Sequence, residues 1–282
     1  MAISLTCFTV NALLLKHLAL HREVGAWMSL LFRASIGLAV AGLFFQGTKA
    51  VNWRRALAAP LMISRGVLGA FGTAAYYLTI PALGAGKATL IGNTWVVWAS
   101  LMAAAVLKEP LSKRKLLGIV VALGGLTLLT GIGGEAALKF GLNEFIAIAG
   151  AFVAAATVVV IRQLTRTDTS TTIYAAQCAY TALLALPFTL GHWSGLDGVD
   201  VLLLSLAAIL ASYGQIAMTE GFRHLSVSLG GAFQVLLPLT ITLASVAVFS
   251  EAFTKIQIGG GLLILAGCFT AVTADAAAAR KK

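Results

Sequence analysis

The chain has 282 residues, of which 59% are hydrophobic and only 11% charged, and its mean hydropathy is +0.94. Soluble domains carry about 25% charged residues, so a water-soluble fold is excluded, and the apolar runs are long enough to cross a bilayer, which takes roughly 20 helical residues. The net charge of +10 lies in short gaps between these runs, so it reads as a topology signal and not as a nucleic-acid surface.

Breaks of charge, Gly or Pro divide the chain into ten predicted spans, near 2–19, 25–46, 60–82, 87–107, 114–133, 141–162, 172–191, 199–220, 226–249 and 256–275. The first ends with Lys16 and His17 and lacks a signal-peptide cleavage pattern, so it reads as a retained helix. Cys7, Cys178 and Cys268 each fall inside an apolar run without pairing or metal spacing, as small core residues do. The linkers are short and leave no room for an inserted soluble domain.

The stretch VLKEPLSKRK at 106–115 interrupts two runs without charge, and a similar gap, FSEAFTKIQ, follows at 249–257. An offset of 142 residues places Glu109 on Glu251, Lys113 on Lys255, Gly118 on Gly260, Gly125 on Gly267 and Gly72 on Gly214. Each copy holds five spans, an odd number, so the second must enter the membrane inverted. The copies divide the chain at 1–135 and 136–282. Inverted repeats of this kind are a feature of secondary transporters.

With the N-terminus inside, the inner segments hold 13 Lys and Arg and the outer ones 5, while Arg33 and Arg65 remain within spans. The positive-inside rule therefore predicts a cytoplasmic-membrane protein with both termini in the cytoplasm. Trp27, Trp53 and Trp193 fall at span ends, as an interfacial aromatic belt requires.

LKEPLSKRKLLGIVVALGGLTLL and its second copy, FSEAFTKIQIGGGLLILAGCF, resemble the C-terminal signature of EamA-type repeats of the drug/metabolite transporter superfamily. FRASIGL at 32–38 and SRGVLGAFGTAAYYLTI at 64–80 are similar to the family's second and third helices. Val96 departs from the pattern where family copies often carry a helix proline; the second copy has Pro238. The resemblance implies an all-α membrane fold of ten helices in two inverted five-helix halves. It also implies alternating access around a central cavity and a small metabolite as cargo.

Ionisable groups inside spans are functional candidates by default. Arg65, Gly69, Gly72 and Tyr76 follow i, i+4, i+7, i+11 spacing, one stripe of a helix. Arg65 near a span end also fits a side chain snorkelling to headgroups, as does Lys16, whereas Arg33 lies too deep and calls for a cavity or a buried pair. Asn93 with Trp95 and Trp98 forms a polar–aromatic cluster on a span that the resemblance places beside the cavity. Tyr213, Gln215 and Gln234 complete the candidate binding set, with interhelical hydrogen bonding as the alternative role for the amides, including Asn11 and Gln177. Glu220 is the candidate proton-coupling carboxylate; an i,i+3 pair with Arg223 is its simpler reading. Glu135, Asp168, Asp197 and Asp200 read as solvated loop charges, and Glu109 and Glu251 as local caps or pairs.

No His, Cys and acid spacing suggests a metal, cofactor or catalytic site. That argues against a multispan enzyme acting on lipid, and the short linkers argue against a channel filter. The expected partners are a small polar metabolite, anionic or zwitterionic, membrane lipid and a coupling proton, in a monomer or homodimer.

Overall fold

The computed structural model describes residues 2–43, 50–107, 112–130, 141–190, 195–224 and 227–279. Among these, all regular structure is helical: α1 (Ala2–His21), α2 (Ala26–Leu43), α3 (Trp53–Ala58), α4 (Pro60–Leu83), α5 (Ala85–Gly92), α6 (Trp95–Leu107), α7 (Lys113–Thr130), α8 (Leu142–Leu164), α9 (Ser170–Thr189), α10 (Gly198–His224), α11 (Val227–Phe249) and α12 (Lys255–Ala279). Six of them, α1, α2, α4, α8, α10 and α12, are long and apolar enough over the described residues to cross a membrane, and a shorter apolar stretch covers Gln234–Phe249.

Two elements differ from the sequence reading. The fourth span is not one helix: α5 ends at Gly92 and α6 begins at Trp95, separated by a turn at Asn93–Thr94. The Thr94 hydroxyl donates to the Ile91 carbonyl at 2.7 Å, a local bond that competes with the helical ladder. The segment before the third span holds the short helix α3, whose first turn is capped by the Asn52 side chain accepting from the Arg55 amide at 3.1 Å.

The packing is repetitive. If α1, α2, α4, α5/α6 and α7 of the first copy are matched with α8, α9, α10, α11 and α12 of the second, the main contacts between the copies map onto one another. α4 packs on α8 as α10 packs on α1, α4 on α9 as α10 on α2, and α6 on α8 as α11 on α1. The pairs α7/α12 and α2/α9 join each helix to its own counterpart. At α7/α12 a Cβ on Gly118 would meet the Gly267 carbonyl at 2.7 Å, and one on Gly125 would meet the Gly260 carbonyl at 2.6 Å. The early glycine of one helix thus faces the late glycine of the other, so α7 and α12 run antiparallel with their backbones in contact.

Several charges read as solvated or local are held in long-range pairs. Asp168 binds Arg55 through both oxygens, Nε–Oδ1 at 2.7 Å and Nη2–Oδ2 at 2.9 Å. Asp200, only 4% exposed, pairs with Arg22 at 2.7 Å and exchanges capping bonds with Asp197 at the start of α10. Lys16 does not snorkel: it is buried and pairs at 3.1 Å with Glu251, whose carboxylate reaches across to α1 as well as to the nearby Ser245 hydroxyl. The reading of Glu109 falls outside the described residues, as does that of Glu135.

Candidate functional site

A cavity of about 310 Å³ lies where the two copies meet, lined from α1, α2, α4, α5, α6, α8, α9, α10 and α11. The α7/α12 pair takes no part in it. All four residues of the Arg65, Gly69, Gly72, Tyr76 stripe face this space, because one side of α4 is turned inward along its length. Of the predicted binding set, Arg33, Arg65, Tyr76, Asn93, Trp95, Gln215 and Gln234 line the cavity. Trp98 and Tyr213 do not: Trp98 packs edge-on against Phe152, and Tyr213 is 41% exposed on the outside of the bundle. Glu220 is also outside the lining, its carboxylate accepting from the Ser170 hydroxyl at 2.9 Å.

Arg65 is 2% exposed, so the snorkelling alternative does not hold. Its Nη2 donates to Gln177 Oε1 at 2.6 Å, and Gln177 Nε2 in turn donates to the Thr73 hydroxyl at 2.8 Å. Gly69 leaves the space the guanidinium occupies, since a Cβ there would lie 2.1 Å from Nη1. Among the described residues, Nε and Nη1 have no hydrogen-bond partner. Arg33 sits nearer the other end of α4, with Nη1 donating to the Tyr77 hydroxyl at 3.2 Å and its guanidinium 5.6 Å from that ring.

The remaining polar lining is partly engaged. The Tyr76 hydroxyl meets Thr89 Oγ1 at 2.9 Å, tying α4 to α5. The Asn11 amide donates to the Ala207 carbonyl at 2.8 Å, an interhelical bond of the kind expected for such residues. Asn93, at the break between α5 and α6, is buried, and its Nδ2 has no partner among the described residues. Tyr77, Gln177 and Thr89 were not in the predicted set, although they hold its members Arg33, Arg65 and Tyr76 respectively. Gln177 carried a signal as a span amide and Tyr77 as an aromatic within a span; Thr89 carried none, because its role depends on which helix packs opposite.

The two ends of the cavity are built differently. At one end the lining reaches Thr165, just past the last turn of α8. At the other it stops at Ala88 and Ala147, beneath two ion pairs that cross between elements. Lys87 on α5 binds Glu144 on α8 at 2.9 Å, and Lys16 on α1 binds Glu251 at 3.1 Å. The Glu251 carboxylate also accepts from the Ser245 hydroxyl and from the Gly86 amide in the first turn of α5. Gly84, between α4 and α5, has φ +82°, and a Cβ there would strike Glu251 Oε1. Only glycine suits both that backbone and that contact. On the same end, in the loop before α2, the Asp200 and Asp197 carboxylates raise the pKa of Arg22, and the Asp200 backbone amide followed by Arg22 lowers that of Asp197.

The sequence matches the EamA-like transporter family twice, over residues 1–131 and 142–273. The chain belongs to this family. Its two matched copies are the two halves between which the cavity forms, and the family's members are transporters. A solved structure, titled only as the crystal structure of a protein, shares the fold of this EamA-like chain at 21% identity, with a TM-score of 0.63, over 96% of this chain and 97% of that one. The comparison with curated proteins returns no match.

Proposed function

We propose that this EamA-like protein is a secondary transporter that moves a small polar metabolite, anionic or zwitterionic, across the cytoplasmic membrane by alternating access. In this reading the ten spans form two inverted five-helix halves, with the split α5/α6 counted as one span and both termini in the cytoplasm. The observation that carries it is a cavity between the halves that places Arg33, Arg65 and Asn93 among largely apolar side chains, reaching Thr165 at one end and closed under Lys16–Glu251 and Lys87–Glu144 at the other. Reorientation would break those pairs and close the Thr165 end. The cargo sign follows from the lining, which holds Arg33 and Arg65 and no Asp or Glu among the described residues. A cationic cargo would need a buried acid as counter-ion there.

The test is flux. Purified protein in liposomes should take up a labelled metabolite saturably, and Arg33→Ala should impair that uptake while the protein still folds. Flux that does not saturate and scales with voltage would indicate a channel instead. Reversing the orientation would show as cysteine labelling of the termini from outside intact cells.

A further inference from the structure

Arg33 and Arg65 belong to one cavity, and Arg33 lies within Coulombic reach of Arg65. Neither has a carboxylate partner among the described residues: Arg33 is held by a tyrosine ring and hydroxyl, and Arg65 by one amide oxygen. Lys16, by contrast, is buried with its acid at 3.1 Å. Two buried guanidiniums lining one cavity without a counter-charge among the described residues are unfavourable. The site is nevertheless built to keep them. Gly69 makes room for the Arg65 guanidinium, and Gln177, itself anchored on Thr73, fixes one nitrogen while Nε and Nη1 stay unpartnered. Asn93 adds an unpartnered amide donor to the same lining.

We propose that the cavity binds a solute carrying two negative charges, a dicarboxylate or a phosphate monoester, with one anionic group accepting from Arg65 and the other charge facing Arg33. This rests on the transporter reading above and narrows its cargo. A monoanion or a zwitterion leaves at least one guanidinium uncompensated; a dianion neutralises both. The donors match: Arg65 offers charge-assisted hydrogen bonds to oxyanions, and the Asn93 amide donates without adding charge.

The experiment is titration calorimetry on the purified full-length protein in detergent. The carboxylate arm uses succinate, its monoamide and its diamide; the phosphate arm uses inorganic phosphate and sulfate. In the first, succinate should bind at least tenfold more tightly than the monoamide, with the diamide weaker still. In the second, inorganic phosphate, which becomes a dianion only near neutral pH, should gain at least tenfold in affinity from pH 5.5 to 7.5 while sulfate, doubly charged throughout, stays level. Preference in one arm alone identifies which oxyanion the site takes. Arg65→Gln should weaken the preferred dianion at least tenfold, and Tyr213→Phe, outside the cavity, should leave it unchanged. Should Arg65→Gln fail to fold, Arg65→Lys keeps the charge, loses the planar donors and should still weaken it. The proposal is overturned if the monoamide or diamide matches succinate and phosphate shows no pH gain, or if neither arm binds. Saturable liposome uptake of a zwitterion in that case would leave the transporter reading standing, whereas absence of saturable uptake of any solute would sink both.

Discussion

The α7/α12 seam and the central cavity treat the internal repeat in opposite ways. At the seam the copies are alike: Gly118 matches Gly260, Gly125 matches Gly267, and these glycines meet across the helix pair. In the cavity the copies diverge. Arg65 corresponds by the same offset to Ala207, Tyr76 to Met218, and Asn93 to Val235. Packing two backbones together needs small residues on both sides, so symmetry is retained. The cavity lining carries no such requirement: its two arginines come from the first copy and the amides Gln177, Gln215 and Gln234 from the second, so symmetry is given up. The fourth helices show the same split, with α5/α6 broken at Asn93–Thr94 and α11 continuous through Pro238. The copy without the proline is the one that breaks, because Thr94 closes a local turn that proline is not needed to make.

The largest expected effect is at Glu251. Truncating it to Ala leaves Lys16 buried without its acid and should cost about 3–5 kcal/mol, read as a fall in thermal stability in detergent. A double-mutant cycle with Lys16→Ala should recover part of that loss; independent, additive losses would show that the pair does not couple the two elements.

The seam comes next. Gly118→Val and Gly267→Val each place a Cβ within 2.5–2.7 Å of the opposite backbone, and each should cost about 3 kcal/mol. The comparison predicts near-equal losses in the two copies, and a twofold or larger disparity in melting shift would break it.

In the cavity the comparison predicts inequality. Arg65→Ala should abolish saturable uptake with melting temperature unchanged or raised, since it deletes a buried charge without an acid partner. Ala207→Ser, at the matched position of the other copy, should change uptake less than twofold. Equal effects would mean that both copies contribute to the site.

The smallest expected effect is in acid. The Asp197 pKa is lowered on folding, so its contribution is present above the usual aspartate range and is lost as pH falls through the depressed value. Asp197→Asn should flatten that part of the stability–pH curve, with the change at neutral pH confined to the lost pairing with Arg22. An unchanged curve would remove Asp197 from the acid response.

The candidate site was legible as a list and not as a place. Arg65, Gly69, Gly72 and Tyr76 could be grouped because helix periodicity puts them on one face. Arg33 could be marked because charge deep in an apolar run is costly. Trp98 and Tyr213 looked equivalent to Trp95 and Gln215, since periodicity alone does not say which face of a helix meets the other copy. The reading of Lys16 went astray for a related reason: a cation near a span end is consistent with snorkelling until a distant acid is seen beside it.

Sequence by itself determined the membrane class, the repeat and the family signature, because composition, apolar run length and matched glycines are local or one-dimensional quantities. Tertiary structure alone decided where α5 yields to α6, that Glu251 answers Lys16 across 235 positions of sequence, and that Arg33 and Arg65 share one cavity without an acid among the described residues. Those depend on which faces of separate helices pack together, and burial sets the energy of each charge only once its neighbours are in place.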